Sequence, residues 1–223
     1  MDYKLISTYL DYCKTLKRLS SHPIRAYKND LMQFYNSNYD NVESYIEHLK
    51  QSNIKTNTLR RKIACMKVFY NYLKYQNIIE ENPFNQLRFQ FRTEKILPKT
   101  IPYNILKNIF LYLEQRVVIS KTDFQKQKAE RNLLIISLLL STGIRISELC
   151  HIHLKDINLS NKTLHIIGKG KKERIIFLGD QTTINLLEIF INKIGKESNG
   201  FLFPGKHSPK PLSEQSVRLI LKR

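Results

Sequence analysis

The sequence predicts a mainly helical protein of two domains, with a small antiparallel β-sheet confined to the second, which is therefore of α+β type. Three observations carry that expectation. Apolar residues recur at helical spacing through much of the chain, most clearly at Leu59, Ile63, Met66, Tyr70 and Leu73. Two short β-type runs, Thr163 to Ile167 and Arg174 to Leu178, flank the basic string Gly168-Lys169-Gly170-Lys171-Lys172, as the arms of a hairpin flank its tip. Between the halves lies a polar, basic and aperiodic stretch punctuated by Pro98 and Pro102.

In chain order, Leu5 to Leu19 reads as the first helix, broken by Ser20, Ser21 and Pro23. Ile24 to Phe34 and Val42 to Leu49 are the second and third. The fourth carries the stripe around Met66, with Arg60, Lys67 and Lys74 along its flank and Arg61 and Lys62 widening the basic surface. Its start, Thr56-Asn57-Thr58, offers free backbone N–H groups of the kind that favour a phosphate. Asn82-Pro83 ends the pattern. These boundaries place a helical domain at residues 1–85, a linker at 86–98 and a second domain at 99–223. The second domain opens with a helix over 103–116. Lys121 to Lys128 is polar and reads as a loop or a poorly packed helix start. Arg131 to Ser141 is a helix apolar on every side, fit for the centre of a core, and Gly143 is placed to end it. A short amphipathic stretch, Ile146 to His151, precedes the hairpin. Thr182 to Ile194 is a helix, Phe201 to Pro204 a buried segment, and Ser213 to Lys222 a last helix.

Composition narrows the function. Of 223 residues, 42% are hydrophobic and 25% charged, enough apolar side chain for a core. The 7 Gly and 7 Pro exclude collagen-like or linker-like character. The longest apolar run, Leu133 to Leu140, is about half the length of a membrane span. Met1 to Leu10 mixes charge into its apolar residues and does not read as a signal peptide. Cys13, Cys65 and Cys150 are far apart, which makes neither a disulfide framework nor paired metal-ligand spacing, so the cytoplasm is the expected compartment. His151 and His153 lack a visible third ligand, and no metal or cofactor is expected. The 37 Lys+Arg against 19 Asp+Glu leave a formal charge of +18, which points to a polyanion and hence to nucleic acid. The excess is shared: residues 1–98 hold 16 basic and 9 acidic side chains, residues 99–223 hold 21 and 10.

The string Leu138-Leu139-Leu140-Ser141-Thr142-Gly143-Ile144-Arg145-Ile146-Ser147-Glu148-Leu149 resembles the first catalytic box of the tyrosine recombinases, the phage integrase family. Ile167-Gly168-Lys169-Gly170-Lys171-Lys172-Glu173-Arg174 resembles that family's β-hairpin and is similar to its bacterial Xer-type form. Arg25-Ala26-Tyr27, and Phe69-Tyr70-Asn71-Tyr72-Leu73 before Asn82-Pro83, are similar to its helical core-binding domain. The resemblance implies a SAM-like DNA-binding domain followed by part of a catalytic domain. It implies site-specific cleavage and rejoining of duplex DNA by tyrosine transesterification, without metal or ATP, by four protomers in an intact enzyme. Arg145 would be the first catalytic arginine, Glu148 its support, and Lys169 the general acid that protonates the leaving 5′ oxygen. Arg60, Arg61, Lys67, Lys171, Lys172 and Arg174 are the expected phosphate contacts.

The family also needs a later His-x-x-Arg box and a tyrosine. No tyrosine follows Tyr112, and the only His-x-x-Arg is His22-Pro23-Ile24-Arg25 in the first domain, a chance occurrence on this reading. The expectation is therefore a truncated recombinase, inactive alone, with partly uncovered apolar surface on helices 131–141 and 213–222. The alternatives are a non-catalytic DNA-binding protein or regulator derived from one, and a gene remnant.

Overall fold

The computed structural model describes residues 2–37, 39, 41–87, 99–168, 170, 172–194, 200–205 and 210–222. The chain divides into two compact units, Met1–Leu97 and Pro98–Arg223. Most of the stretch expected as a linker, residues 88–98, lies outside the described residues.

Among its described residues the first unit holds four helices, α1 (Tyr3–Thr15), α2 (Ser21–Tyr35), α3 (Val42–Gln51) and α4 (Thr56–Tyr75), followed by a 3-10 turn at Pro83–Asn85. Local chemistry sets their starts. The Asp2 carboxylate accepts from the Lys4 N–H at 2.9 Å, and the Asn41 side chain accepts from the Ser44 N–H at 2.8 Å. α1 is shorter than expected. Arg18 turns the chain through a positive φ of 49°, and the Leu19 N–H returns to the Cys13 carbonyl at 3.0 Å. Tyr9, Leu31, Met66 and Phe69 are fully buried between the helices, and the Tyr9 ring meets Phe69 edge-on at 5.1 Å. The buried face of α4 is wider than the expected stripe, because Cys65, Phe69 and Tyr72 join it. Lys62 belongs to that buried face too. It does not widen the basic surface: its ammonium reaches Gln33 and, at 3.5 Å, the buried Asp30 carboxylate. A cation beside an apolar stripe stays inside only when paired, and α2 supplies the partner.

The second unit begins with α5 (Tyr103–Val118) and α6 (Asp123–Thr142). The polar segment 121–128 is mostly the start of α6: the Thr122 hydroxyl accepts from the Gln125 N–H at 3.2 Å and the helix runs unbroken from Asp123. Leu133 to Leu138 are buried and Leu140 is 45% exposed, so the apolar surface of this helix is uncovered only at its end. α7 (Ile146–Cys150) and a 3-10 turn (Leu154–Asp156) lead into a three-stranded antiparallel sheet of β1 (Ile157–Asn158), β2 (Thr163–Ile167) and β3 (Glu173–Phe177). The two-residue β1 was not expected from the sequence. α8 (Gln181–Ile194) and α9 (Glu214–Ile220) complete the unit. One sheet face packs Leu164 and Ile166 against Leu134, Leu138, Leu187 and Phe203. The other face exposes Ile175 and Phe177, at 63% and 76%.

Candidate functional site

α6 ends on Gly143, whose φ of 64° lets its N–H cap the Leu139 carbonyl at 3.1 Å. Ile144 then plugs the core, and Arg145 becomes the cap residue of α7 in extended conformation. Glu148, one turn on, closes the cap: its carboxylate accepts from the Arg145 backbone N–H at 2.8 Å and from the Arg145 guanidinium at 3.1 Å. The carboxylate is nearly inaccessible, at 3%, while the Arg145 side chain is 72% exposed. Arg145 is thus anchored at its root and open at its head.

A second guanidinium meets the same carboxylate. Arg174 of β3 donates from Nη1 to Oε1 at 2.9 Å and from Nη2 to Oε2 at 2.8 Å. Arg174 first, then Arg145, hold the Glu148 carboxyl down at about 2 against the opposing effect of burial. Glu148 is therefore a fixed anion and not a proton carrier. The sequence reading put Arg174 on phosphate, yet both its terminal nitrogens go to Glu148.

The hairpin rises beside this cluster. The Gly168 N–H donates to the Lys172 carbonyl at 2.7 Å, and Gly170 has a φ of 76°. A Cβ at Gly168 would lie 3.1 Å from Glu148 Oε1 and 3.4 Å from the Lys172 carbonyl oxygen, so a side chain there would press the carboxylate by a few tenths of an ångström. Lys172 is exposed. Lys169 and Lys171, the other hairpin candidates, lie outside the described residues.

In the first unit, Arg60 and Lys67 lie on the exposed side of α4 with Lys74. Arg61 pairs with the buried Asp30 while remaining 47% exposed. Its guanidinium borders a cleft of about 410 Å³ that His22, Arg25, Thr58 and Lys62 also line. Sequence reasoning did not assemble this cleft. His22, Arg25 and Arg61 are visible as basic residues, but their convergence depends on how α2 packs on α4.

The histidine pair does not converge on a ligand. His151 Nδ1 lies 2.7 Å from the Ser147 carbonyl, and the His153 ring sits 4.2 Å from the Phe201 ring. Among the described residues no three His, Cys, Asp or Glu side chains gather as a metal site.

Comparison with known proteins bears on both units. The model described as "Phage integrase family" matches residues 110–223, and "Phage integrase, N-terminal SAM-like domain" matches 6–77. A tyrosine recombinase of Agathobacter rectalis is 45% identical over 98% of this chain and 74% of its own length. The chain belongs to the phage integrase family, the tyrosine recombinases. Tyrosine recombinase XerC of Staphylococcus saprophyticus is 31% identical over the same shares of the two chains. Two solved structures share the fold. XerH bound to its difH substrate has TM-score 0.66 at 19% identity, over 97% of this chain and 66% of that one. A lambda integrase dimer bound to a core site has TM-score 0.70 at 14% identity, over 99% of this chain and 61% of that one. The chain thus spans less than two thirds of either solved protein.

For a tyrosine recombinase the state of the tyrosines matters. Burial pushes the Tyr70 hydroxyl up to about 12 and raises Tyr9, Tyr27, Tyr45 and Tyr72. A phenol that resists ionisation inside an apolar core is a poor nucleophile, which agrees with reading these rings as packing groups. No helix among the described residues is long and apolar enough to cross a membrane.

Proposed function

We propose that this chain binds duplex DNA as a site-specific recombinase of the tyrosine type, through a core-binding domain at residues 1–85 and the first part of a catalytic domain at 99–223. The observation that carries this reading is Arg145, held at the start of α7 by a buried, ionised Glu148 with its guanidinium directed to solvent. A transferring phosphate gains negative charge at phosphorus, and a guanidinium already fixed in place stabilises it without reorganising. Lys169 fits the role of general acid at the hairpin, with Lys171 and Lys172 on flanking phosphates. Arg60, Arg61 and Lys67 serve the duplex from α4. DNA recombination in an assembly of several protomers follows from the same reading.

Within these 223 residues no tyrosine follows Tyr112. That favours a second statement: residues 1–223 alone bind DNA without cutting it. Covalent strand cleavage of this type needs a nucleophile that attacks phosphorus and then holds the strand end. Both statements are tested with one protein. Fluorescence anisotropy on a labelled duplex gives an affinity that falls steeply as salt rises. A nicked suicide substrate gives no covalent protein–DNA band on a denaturing gel. A flat salt response rejects the DNA-binding reading; a covalent band makes one of the twelve tyrosines a nucleophile and rejects the second statement.

A further inference from the structure

We propose that Arg174 is a positioning residue for Arg145, acting through Glu148, and not a phosphate ligand. The proposal rests on Arg145 being the phosphate-stabilising group. In the sheet, Arg174 pairs with Ile166 and therefore shares its face, the one that packs on the core; Glu173, Ile175 and Phe177 take the other. The Arg174 side chain stays 40% exposed, so burial does not force it onto a partner; what holds it is the nearly inaccessible carboxylate of Glu148 on α7, which its two terminal nitrogens grip together. Glu148 Oε1 accepts from the Nη1 atoms of both arginines, while Oε2 accepts from Arg174 Nη2 and the Arg145 backbone N–H. Four donors fill the acceptor capacity of one carboxylate. Held by Arg145 alone, the carboxylate could turn with it; the two-pronged grip of Arg174 fixes its plane. Arg145 then pivots on a rigid anion supplied from a different element. The same pair borders the hairpin base, because a Cβ at Gly168 would lie 3.1 Å from Glu148 Oε1 and 3.6 Å from Arg174 Nη1. The hairpin and the arginine are thereby seated on one carboxylate.

The test uses residues 1–223 with Arg174→Lys, Arg174→Gln and Arg145→Ala. Without DNA, carbon-13 NMR of the Glu148 carboxyl shows no titration step above about pH 3 in the unchanged protein, because two guanidiniums hold it ionised. Both Arg174 substitutions bring a step into the ordinary carboxylate range, near about pH 4 or higher. Lysine does not restore the original behaviour, since it keeps the charge but loses the planar fork. An unchanged titration in both variants overturns the proposal. With DNA, Arg174→Gln costs affinity in the unchanged background but nothing further once Arg145 is alanine. An additive loss, with a further fall of about 0.9 in the salt slope, makes Arg174 a direct phosphate contact and also overturns it. If no protein in the series binds duplex DNA, the recombinase reading fails, and the Glu148 titration still decides whether Arg174 fixes the carboxylate.

Discussion

Glu148 joins the cap of a helix, the exposed Arg145 and Arg174 at the hairpin, and its ionisation has a measurable consequence. Its folded pKa is about 2, below the roughly 4.3 of a glutamate in an unfolded chain. A depressed carboxyl stabilises the fold above the unfolded value and loses that contribution as pH falls through the folded one. The window therefore runs from about pH 5 down to about pH 2, and a shift of this size corresponds to ~3 kcal/mol. Urea unfolding at stepped pH is expected to show that acid loss. Glu148→Gln flattens it and lowers stability at neutral pH by roughly 3 kcal/mol, because two guanidiniums lose their shared anion. Part of the slope survives, since Thr183 and the backbone at Thr182 also hold Asp180 low. An acid limb identical in both proteins would remove Glu148 from this role. The Arg145–Glu148 half of the cluster was legible in sequence, because Glu148 stands three positions after Arg145, about one helical turn. The Arg174 half was not. Arg174 is 26 residues from Glu148, and only the register of β2 against β3 puts it on the sheet face beside that carboxylate.

At the scale of elements, the joint between α6 and α7 places Arg145, and Gly143 makes the joint. Nothing lies within 4 Å of where its Cβ would stand, so a side chain there costs only backbone strain at a φ of 64°. Gly143→Ala is expected to destabilise the chain by about 1 kcal/mol, and Gly143→Asn by less, because asparagine tolerates the left-handed region. Equal losses for the two would mean that something other than backbone conformation is at stake. At the start of α8, the Asp180 carboxylate accepts from the Thr183 N–H at 2.9 Å and the Thr182 N–H at 3.3 Å. Asp180→Ala is expected to cost about 1 kcal/mol in thermal or urea unfolding. The glycine stop after α6 was readable from sequence because the left-handed residue is its own signal. The first two turns of α6 were not, since residues 123–128 are exposed and show no apolar period. Thr122 and Gln125 did carry the Thr-x-x-Gln signature of a helix start. β1 has two residues, too few for any alternation to show. Lys62 was misread because its partner Asp30 lies 32 residues away on α2.

Over the whole molecule, the net charge of +18 is carried by both halves and not by a tail. Binding built this way is a sum of many phosphate contacts, each releasing counterions, and no single lysine dominates it. Lys67 on α4 and Lys172 beside the hairpin are both exposed and belong to different units. Lys67→Ala and Lys172→Ala are each expected to weaken duplex binding and to reduce the salt slope by about 0.9. The loss is the same for every duplex sequence, because a lysine on a phosphate carries no base information. The double substitution is expected to add the two losses, each lysine meeting its own phosphate. Anisotropy titrations on two unrelated duplexes across a salt series check this. A loss confined to one sequence would make that lysine a base contact. An unchanged slope would place it away from the DNA, and if both lysines behaved so, the distributed charge would serve something other than the duplex.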